Sequence, residues 1–141
     1  IIQAKKASAI GEVPIGAVVV KNNQIIGLGH NRPIMDTDPS AHAEIIAMRD
    51  AARSLNNYRL IDCTLYVTLE PCPMCLGAML YARVKHLYFG AYDAKLGAVS
   101  SVFELTKAPQ LNHRLNTTGG IMANECAALL RDFFKVKRKK R

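Results

Sequence analysis

The sequence predicts an α/β fold of three layers, α/β/α, with helices on both faces of a mixed sheet of about five strands. Three observations carry this. Short β-branched and aromatic runs recur along the chain, stretches with helical spacing separate them, and the first two runs are joined by only two residues. Strands separated by helices call for parallel crossovers, whereas a tight hairpin adds an antiparallel pair, so the sheet is mixed.

The elements follow in order. Residues 1–10 (IIQAKKASAI) have helical spacing, and Gly11 stops them. Residues 15–21 (IGAVVVK) and 24–30 (QIIGLGH) are strands. Asn22 and Asn23 suit the tight turn between them, because Asn tolerates positive φ. Residues 36–40 (DTDPS) have loop chemistry, and Ser40, or Asp38 followed by Pro39, is the expected cap of a helix over 41–55. Residues 63–69 (CTLYVTL) form a strand that Pro71 ends, and 73–83 a helix. Residues 86–91 (HLYFGA) are a further strand. A short helix is expected near 101–106, a last strand at 115–118, and a helix over about 122–136. No repeat or linker interrupts the 141 residues, the usual length of one domain. That domain is expected over 1–134, followed by a basic C-terminal tail at 135–141.

Composition narrows the class. Half of the residues are hydrophobic, so the chain is globular rather than disordered. No apolar run approaches the roughly 18 residues of a membrane span. Four cysteines are too few for a disulfide scaffold, and no signal peptide is visible, which points to the cytoplasm and reduced thiols. The chain opens on Ile1-Ile2 rather than Met, which points to a start that is missing or trimmed. Net charge is +8, and KVKRKKR at 135–141 carries six of those charges. Residues 1–134 are nearly balanced, with 13 Lys and Arg against 11 Asp and Glu. The basic run reads equally as a solvated terminus or as a phosphate-binding arm.

The chemistry concentrates in EPCPMC, residues 70–75. Cys72 and Cys75, three apart at the start of a helix, share one face. The positive end of the helix dipole favours thiolates there. They make half of a metal site. The remaining candidates for a ligand are His30, His42, His86, His113, Cys63 and Cys126. His42 stands out in SAHAEII (40–46), because it too lies at a helix start. Two helix N-termini aimed at one spot would place one His and two Cys around one ion. Three protein ligands leave one position open, the pattern of a catalytic zinc site. Glu44 beside such an ion can take a proton from water and later deliver it. Residues i and i+2 do not share a helix face, so this arrangement requires the ion to lie off the helix end. On the residues alone two other readings stay open. One is a thioredoxin-like dithiol at Cys72 and Cys75. The other is a structural four-thiolate site recruiting Cys63 and Cys126, although both sit among apolar neighbours.

His-Ala-Glu followed by Pro-Cys-x-x-Cys resembles the signature of the zinc-dependent cytidine and deoxycytidylate deaminase superfamily. The likeness extends through GEVPIGAVVV (11–20), GHNRP (29–33), DPSAHAEIIAMR (38–49), NYRLIDCTLYVTLEPCPMCLGAML (57–80), FGAYDAKLGA (89–98), LNHR (111–114) and ECAALLRDFF (125–134). Over nearly its whole length the chain thus resembles the bacterial tRNA-specific adenosine deaminases. The resemblance implies a cytidine-deaminase-like fold and hydrolysis of the wobble adenosine of an arginine tRNA anticodon to inosine. It implies one zinc ion per subunit on His42, Cys72 and Cys75, with Glu44 as proton shuttle. Asn31 matches the residue that hydrogen-bonds the target nucleotide, and the Ala43 backbone the amide that reads the base edge. Asp93 matches a contact to the RNA strand near the flipped nucleotide. Asp132, Phe133, Phe134 and Lys135 match the terminal-helix region near the anticodon loop. Val13, Pro14 and Leu69 are candidates for the apolar wall of the pocket. The implied partners are the tRNA anticodon stem-loop and a second subunit in a homodimer. Read by themselves, Asn31 also fits a turn after a strand, and Asp93 a cap of the following turn. Tyr92 and Leu96 depart from the family pattern, in which some members have a basic and a smaller polar residue there. Two other functions remain: deamination of a free nucleoside, nucleotide or base (cytidine, deoxycytidylate, guanine), and a non-catalytic RNA-binding zinc module. The intact Glu44 argues against the second.

Overall fold

In the computed structural model, which describes residues 1–140, strands β1 (Gly16–Lys21) and β2 (Gln24–His30) pair antiparallel. Asn22 and Asn23 turn the chain between them with φ of 51° and 61°, the positive-φ pair that a two-residue hairpin needs. β1 also pairs antiparallel with β3 (Thr64–Leu69), with Ala17 opposite Val67. β3 then runs parallel to β4 (His86–Ala91), and β4 parallel to β5 (Asn116–Thr118). The sheet is therefore mixed and five-stranded, in the order β2-β1-β3-β4-β5.

Helices α2 (Ala43–Leu55) and α3 (Pro73–Ala82) cover one face. Their Ala47, Ala51, Leu76 and Met79 pack on Ala17, Val19, Leu65, Val67 and Leu87 of the sheet. Burial of a leucine side chain contributes about 1.5–3 kcal/mol, and Leu65, Leu76 and Leu87 are wholly inaccessible. Helices α1 (Ile2–Ala9) and α4 (Ala123–Lys139) cover the other face, where Gly16 lies under Ala4 and Gly90 under Cys126. This is the α/β/α layering that the sequence predicts.

The approach of α2 to β2 sets the position of the site. A Cβ at Gly27 would strike the Ala47 carbonyl, and one at Gly29 the Ala43 carbonyl. Only glycine lets a helix lie this close to a strand. The N-terminus of α2 is thereby pinned beside the end of β2.

Three local expectations change. The cap of α2 is His42, not Ser40 or Asp38. Ser40 instead donates its N–H and its hydroxyl to Asp38 Oδ1, at 2.9 and 2.7 Å, closing a local turn ahead of the helix. The short helix near 101–106 reduces to a single 3₁₀ turn at Leu105–Lys107. The terminal helix runs on to Lys139, so the basic residues from Lys135 are its last turns. Cations at a helix C-terminus complement the macrodipole, which favours this extension. Arg141, the end of the expected tail, lies outside the described residues. Among the described residues, no helix is long and apolar enough to cross a membrane.

Candidate active site

The two helix N-termini converge. His42 caps α2, Cys72 caps α3, and Cys75 lies in the first turn of α3 behind Pro73 at N1. One donor atom from each lies within 4.8 Å of the others. His42 Nδ1 is 3.6 Å from Cys72 Sγ and 3.4 Å from Cys75 Sγ. In a tetrahedron with metal–sulfur bonds of about 2.3 Å and metal–nitrogen bonds of about 2.0 Å, that separation is about 3.5 Å. The donor set therefore fits a metal ion in both geometry and chemistry. His42 has φ −74° and ψ 152°, extended rather than helical. Its side chain is released from the helical phase, which removes the difficulty of placing i and i+2 on one centre.

Electrostatics agrees with the geometry. A hydrogen bond from the Cys75 thiol, aided by His42, holds Cys72 as a thiolate with a pKa lowered to about 4. The neighbouring Cys72 and burial push the Cys75 thiol up. The Cys72 contact raises the pKa of His42. A divalent cation at the centre of the three atoms would hold both sulfurs as thiolates. The other candidates lie elsewhere. Cys63 precedes β3 while Cys72 follows it, and Cys126 lies on the opposite face of the sheet. Burial raises the pKa of both thiols, as expected of core cysteines. His30 meets Gln3 and Arg32, His86 stacks on Tyr88, and His113 Nε2 donates to the Val84 carbonyl at 2.6 Å. The four-thiolate reading is thereby set aside.

Glu44 is 4% exposed and sits one residue into α2 beyond Ala43. Burial raises its carboxyl pKa to about 7. Asn31, also buried, follows β2 and reaches across to α2, where its Oδ1 accepts the Ala43 N–H at 2.9 Å. With the His42 side chain turned to the cysteines, the helix takes its capping acceptor from a residue remote in sequence. A buried N–H left unpaired there would cost about 1–3 kcal/mol.

Glu70 was not legible as a functional residue in the sequence. It is 2% exposed, and its carboxylate accepts five hydrogen bonds from the loop after β4. Oε1 accepts the Asp93 N–H at 3.1 Å and the Ser101 hydroxyl. Oε2 accepts the N–H groups of Val99, Ser100 and Ser101 at 3.1, 2.9 and 3.1 Å. Burial alone would raise its pKa, but the bonds from Ser100, Ser101 and Asp93 outweigh it and hold it below the ordinary value. Glu12, likewise buried, accepts the N–H groups of Ile34 and Met35 in the loop after β2. Only the acid's place before Pro-Cys hinted at Glu70. Its partners are backbone groups, which leave no signature in sequence.

The remaining expected residues fall in two places. Val13 and Pro14 precede β1 beside Asn31, whose N–H donates to the Ile15 carbonyl. Leu69 ends β3 next to Glu70, opposite Ala91. Asp93 is half-buried and accepts the Lys95 N–H through Oδ1 at 3.0 Å, so it does cap the following turn. Asp132, Phe133, Phe134 and Lys135 lie on α4, with Phe133 half-buried and Phe134 exposed. The two rings meet edge to face at 5.3 Å. Phe134 joins Tyr92, Lys95, Arg131 and Arg138 around a groove between α4 and the loop after β4. Of these, Arg138 belongs to the basic run at 135–141, whereas Lys95 and Arg131 were not named as site residues in the sequence.

Comparison with known proteins places the chain in a family. The model of the MafB19-like deaminases matches residues 1–138. The tRNA-specific adenosine deaminase of Haemophilus influenzae is 50% identical over 139 residues, covering 98% of this chain and 80% of that protein. The tRNA-specific adenosine deaminase of Bacillus subtilis is 43% identical, with 99% and 86% covered. A solved structure from work on A-to-I editing by tRNA:A34 deaminases at the wobble position of transfer RNA superimposes with a TM-score of 0.89. It is 41% identical, with 92% of this chain and 94% of that chain covered. The chain therefore belongs to the MafB19-like deaminase family and, within it, to the bacterial tRNA-specific adenosine deaminases.

Proposed function

We propose that the protein hydrolyses adenosine to inosine at the wobble position of a tRNA anticodon, with one zinc ion per subunit on His42, Cys72 and Cys75. The observation that carries this is the buried carboxyl of Glu44, in contact with the Cys75 thiol of a His–Cys–Cys triad at the meeting point of two helix N-termini. In the reaction a water oxygen replaces the amine on C6 of adenine, and ammonia leaves. Zinc, when bound, supplies a water whose pKa lies near neutrality. Glu44 takes a proton from water and returns protons to the ring nitrogen and to the departing amine. Burial raises the Glu44 carboxyl above the ordinary carboxylate range, which suits it to hold and release a proton. Asn31 orients the target nucleotide through its side-chain NH₂, since its Oδ1 holds the Ala43 N–H, and the Ala43 amide reads the base edge by exchanging that bond. Val13, Pro14 and Leu69 form the apolar wall around the base. A stacked base is out of reach, so the nucleotide must splay out into the pocket. Asp93 contacts the strand beside it.

The groove at Phe134 supports an RNA substrate. Exposed aromatic rings with cations between them suit stacked bases and a phosphate backbone. An arginine tRNA is the substrate implied by the family likeness. The deciding experiment is nucleoside mass spectrometry after incubating the zinc-loaded protein with an arginine anticodon stem-loop. Inosine replaces only the wobble adenosine. Turnover of free cytidine, deoxycytidylate or guanine, without inosine in the RNA, would overturn this in favour of a free-substrate deaminase. Bound zinc with no turnover on any of these would leave a non-catalytic module.

The basic end of α4 acts as the phosphate-binding arm. Removing residues 138–141 deletes four cations. The slope of log affinity against log salt for the stem-loop then falls by about 3. An unchanged slope would exclude the arm from the interface.

The subunit pairs with a second copy through the outer face of α3. This helix, PMCLGAMLYA, carries no charged residue on any side. A helix apolar all round is normally buried all round. Yet Met74, Gly77 and Tyr81 face solvent, with Tyr81 76% exposed beside the exposed Tyr58. In sedimentation velocity the protein runs as a dimer and Tyr81→Glu as a monomer. A monomeric wild-type protein would remove the homodimer. The four free thiols fit the reducing cytoplasm.

A further inference from the structure

We infer that Glu70 is a positioning residue, whose buried carboxylate holds the 93–101 loop against the metal-binding turn as the RNA-facing wall of the pocket. This rests on the RNA reading above for the wall's partner, but the anchoring stands on geometry. β3 and β4 are parallel, so the loops that follow them leave the same edge of the sheet side by side. One carries Cys72, the other Asp93. Ligands of α/β sheets bind outside the carboxyl ends of the strands, where these two loops lie.

Between β4 and the 3₁₀ turn the loop holds no helix or strand, only local turns such as those closed by Gly97 N–H on the Asp93 carbonyl and Val102 N–H on the Gly97 carbonyl. These turns wrap the Glu70 carboxylate. Three successive N–H groups, at 99, 100 and 101, converge on Oε2, while Asp93 N–H and the Ser101 hydroxyl close on Oε1. A carboxylate offers about four lone-pair sites, so five donors saturate it. Two backbone bonds complete the seam: Glu70 N–H to the Ala91 carbonyl and Ala98 N–H to the Pro71 carbonyl, both 2.8 Å. The approach is close enough that a Cβ on Gly97 would strike the carboxylate. Such an acceptor does no chemistry on a base, because every lone pair is already used. It fixes where Asp93 stands relative to Cys72.

Glu70→Gln dissects the anchor. An amide has one oxygen and one NH₂ group. Placing the oxygen at Oε2 keeps all three N–H bonds from 99–101. The NH₂ at Oε1 can donate to the Ser101 hydroxyl, which turns to accept, but it opposes the Asp93 N–H. The substitution therefore releases the Asp93 end and keeps the rest. Three readouts follow: zinc per chain, hydrogen exchange of the 93–101 amides, and kcat and KM on the anticodon stem-loop. Zinc stays at the wild-type level, the Asp93 amide exchanges at least about tenfold faster, and KM rises about tenfold with kcat within about twofold. Ser101→Ala, which removes one donor to Oε1, moves KM the same way by a smaller factor and serves if Glu70→Gln does not fold. An unchanged KM with zinc retained overturns the inference. So does loss of zinc and kcat together at constant KM, which would make Glu70 a support of the metal turn instead. If the wild-type protein itself ignores the stem-loop, the RNA reading fails. Faster Asp93 exchange in Glu70→Gln would then still establish the anchor.

Discussion

Glu44→Ala lowers single-turnover inosine formation by about 10⁴-fold and leaves the zinc in place. General acid–base catalysis is worth about 10²–10⁴-fold. The upper end applies because one carboxyl serves the water, the ring nitrogen and the departing amine in turn. That loss corresponds to about 5.5 kcal/mol of barrier. Metal content by mass spectrometry should match the wild type, since Glu44 is not among the three donors. The thermal midpoint should be no lower, because removing a carboxyl with a burial-raised pKa also removes its desolvation cost. Activity within tenfold of wild type would sink the assignment of Glu44 as proton carrier.

Cys72→Ser separates the metal from the shuttle. Its thiolate is the most acidic of the donors, with a pKa near 4, whereas a serine hydroxyl stays protonated at neutral pH. Two protein ligands then remain where three converged. Zinc per chain should fall to a trace and turnover with it. A ligand present at a thousand times its dissociation constant stabilises a fold by about 4 kcal/mol. A chelator should therefore lower the melting temperature of the wild type and of Glu44→Ala, yet leave Cys72→Ser unmoved. A Cys72→Ser protein that still carries one zinc per chain would show that the donor set is wrong.

What the sequence disclosed depended on how local each signal was. The Asn22-Asn23 turn, the strand ended by Pro71 and the cysteine pair at a helix start are each written within a few residues. Their structures match closely. His42 could be joined to the cysteines because all three share one habit, a place at a helix N-terminus. The cap of α2 was misread because Ser40 and Asp38 satisfy each other, and the acceptor comes from Asn31 at the end of β2. The helix near 101–106 failed for a related reason. Its amides bond to more distant carbonyls instead, Val102 and Phe103 to Gly97 and Leu105 to Ala98, so no i→i−4 ladder forms before the 3₁₀ turn. Backbone donors look alike in every sequence, so an acceptor that serves only them is invisible until the chain is folded.

The pairing of β1 with β3 has a bearing on how the molecule is reached from its unfolded state. The β1–β2 hairpin and the β3–α3–β4 unit are each contiguous and can form early. Joining them brings Ala17 to Val67 and closes the whole length of α2 between. Such distant closures set the pace of refolding in mixed sheets. His42 lies within the segment so closed, and the two cysteines beyond it, so the three donors meet only once that step is complete. A metal ion would then be captured only by a chain that has passed that step. Bound zinc should slow unfolding and leave the refolding rate nearly untouched, lengthening the life of the folded enzyme without hastening its birth.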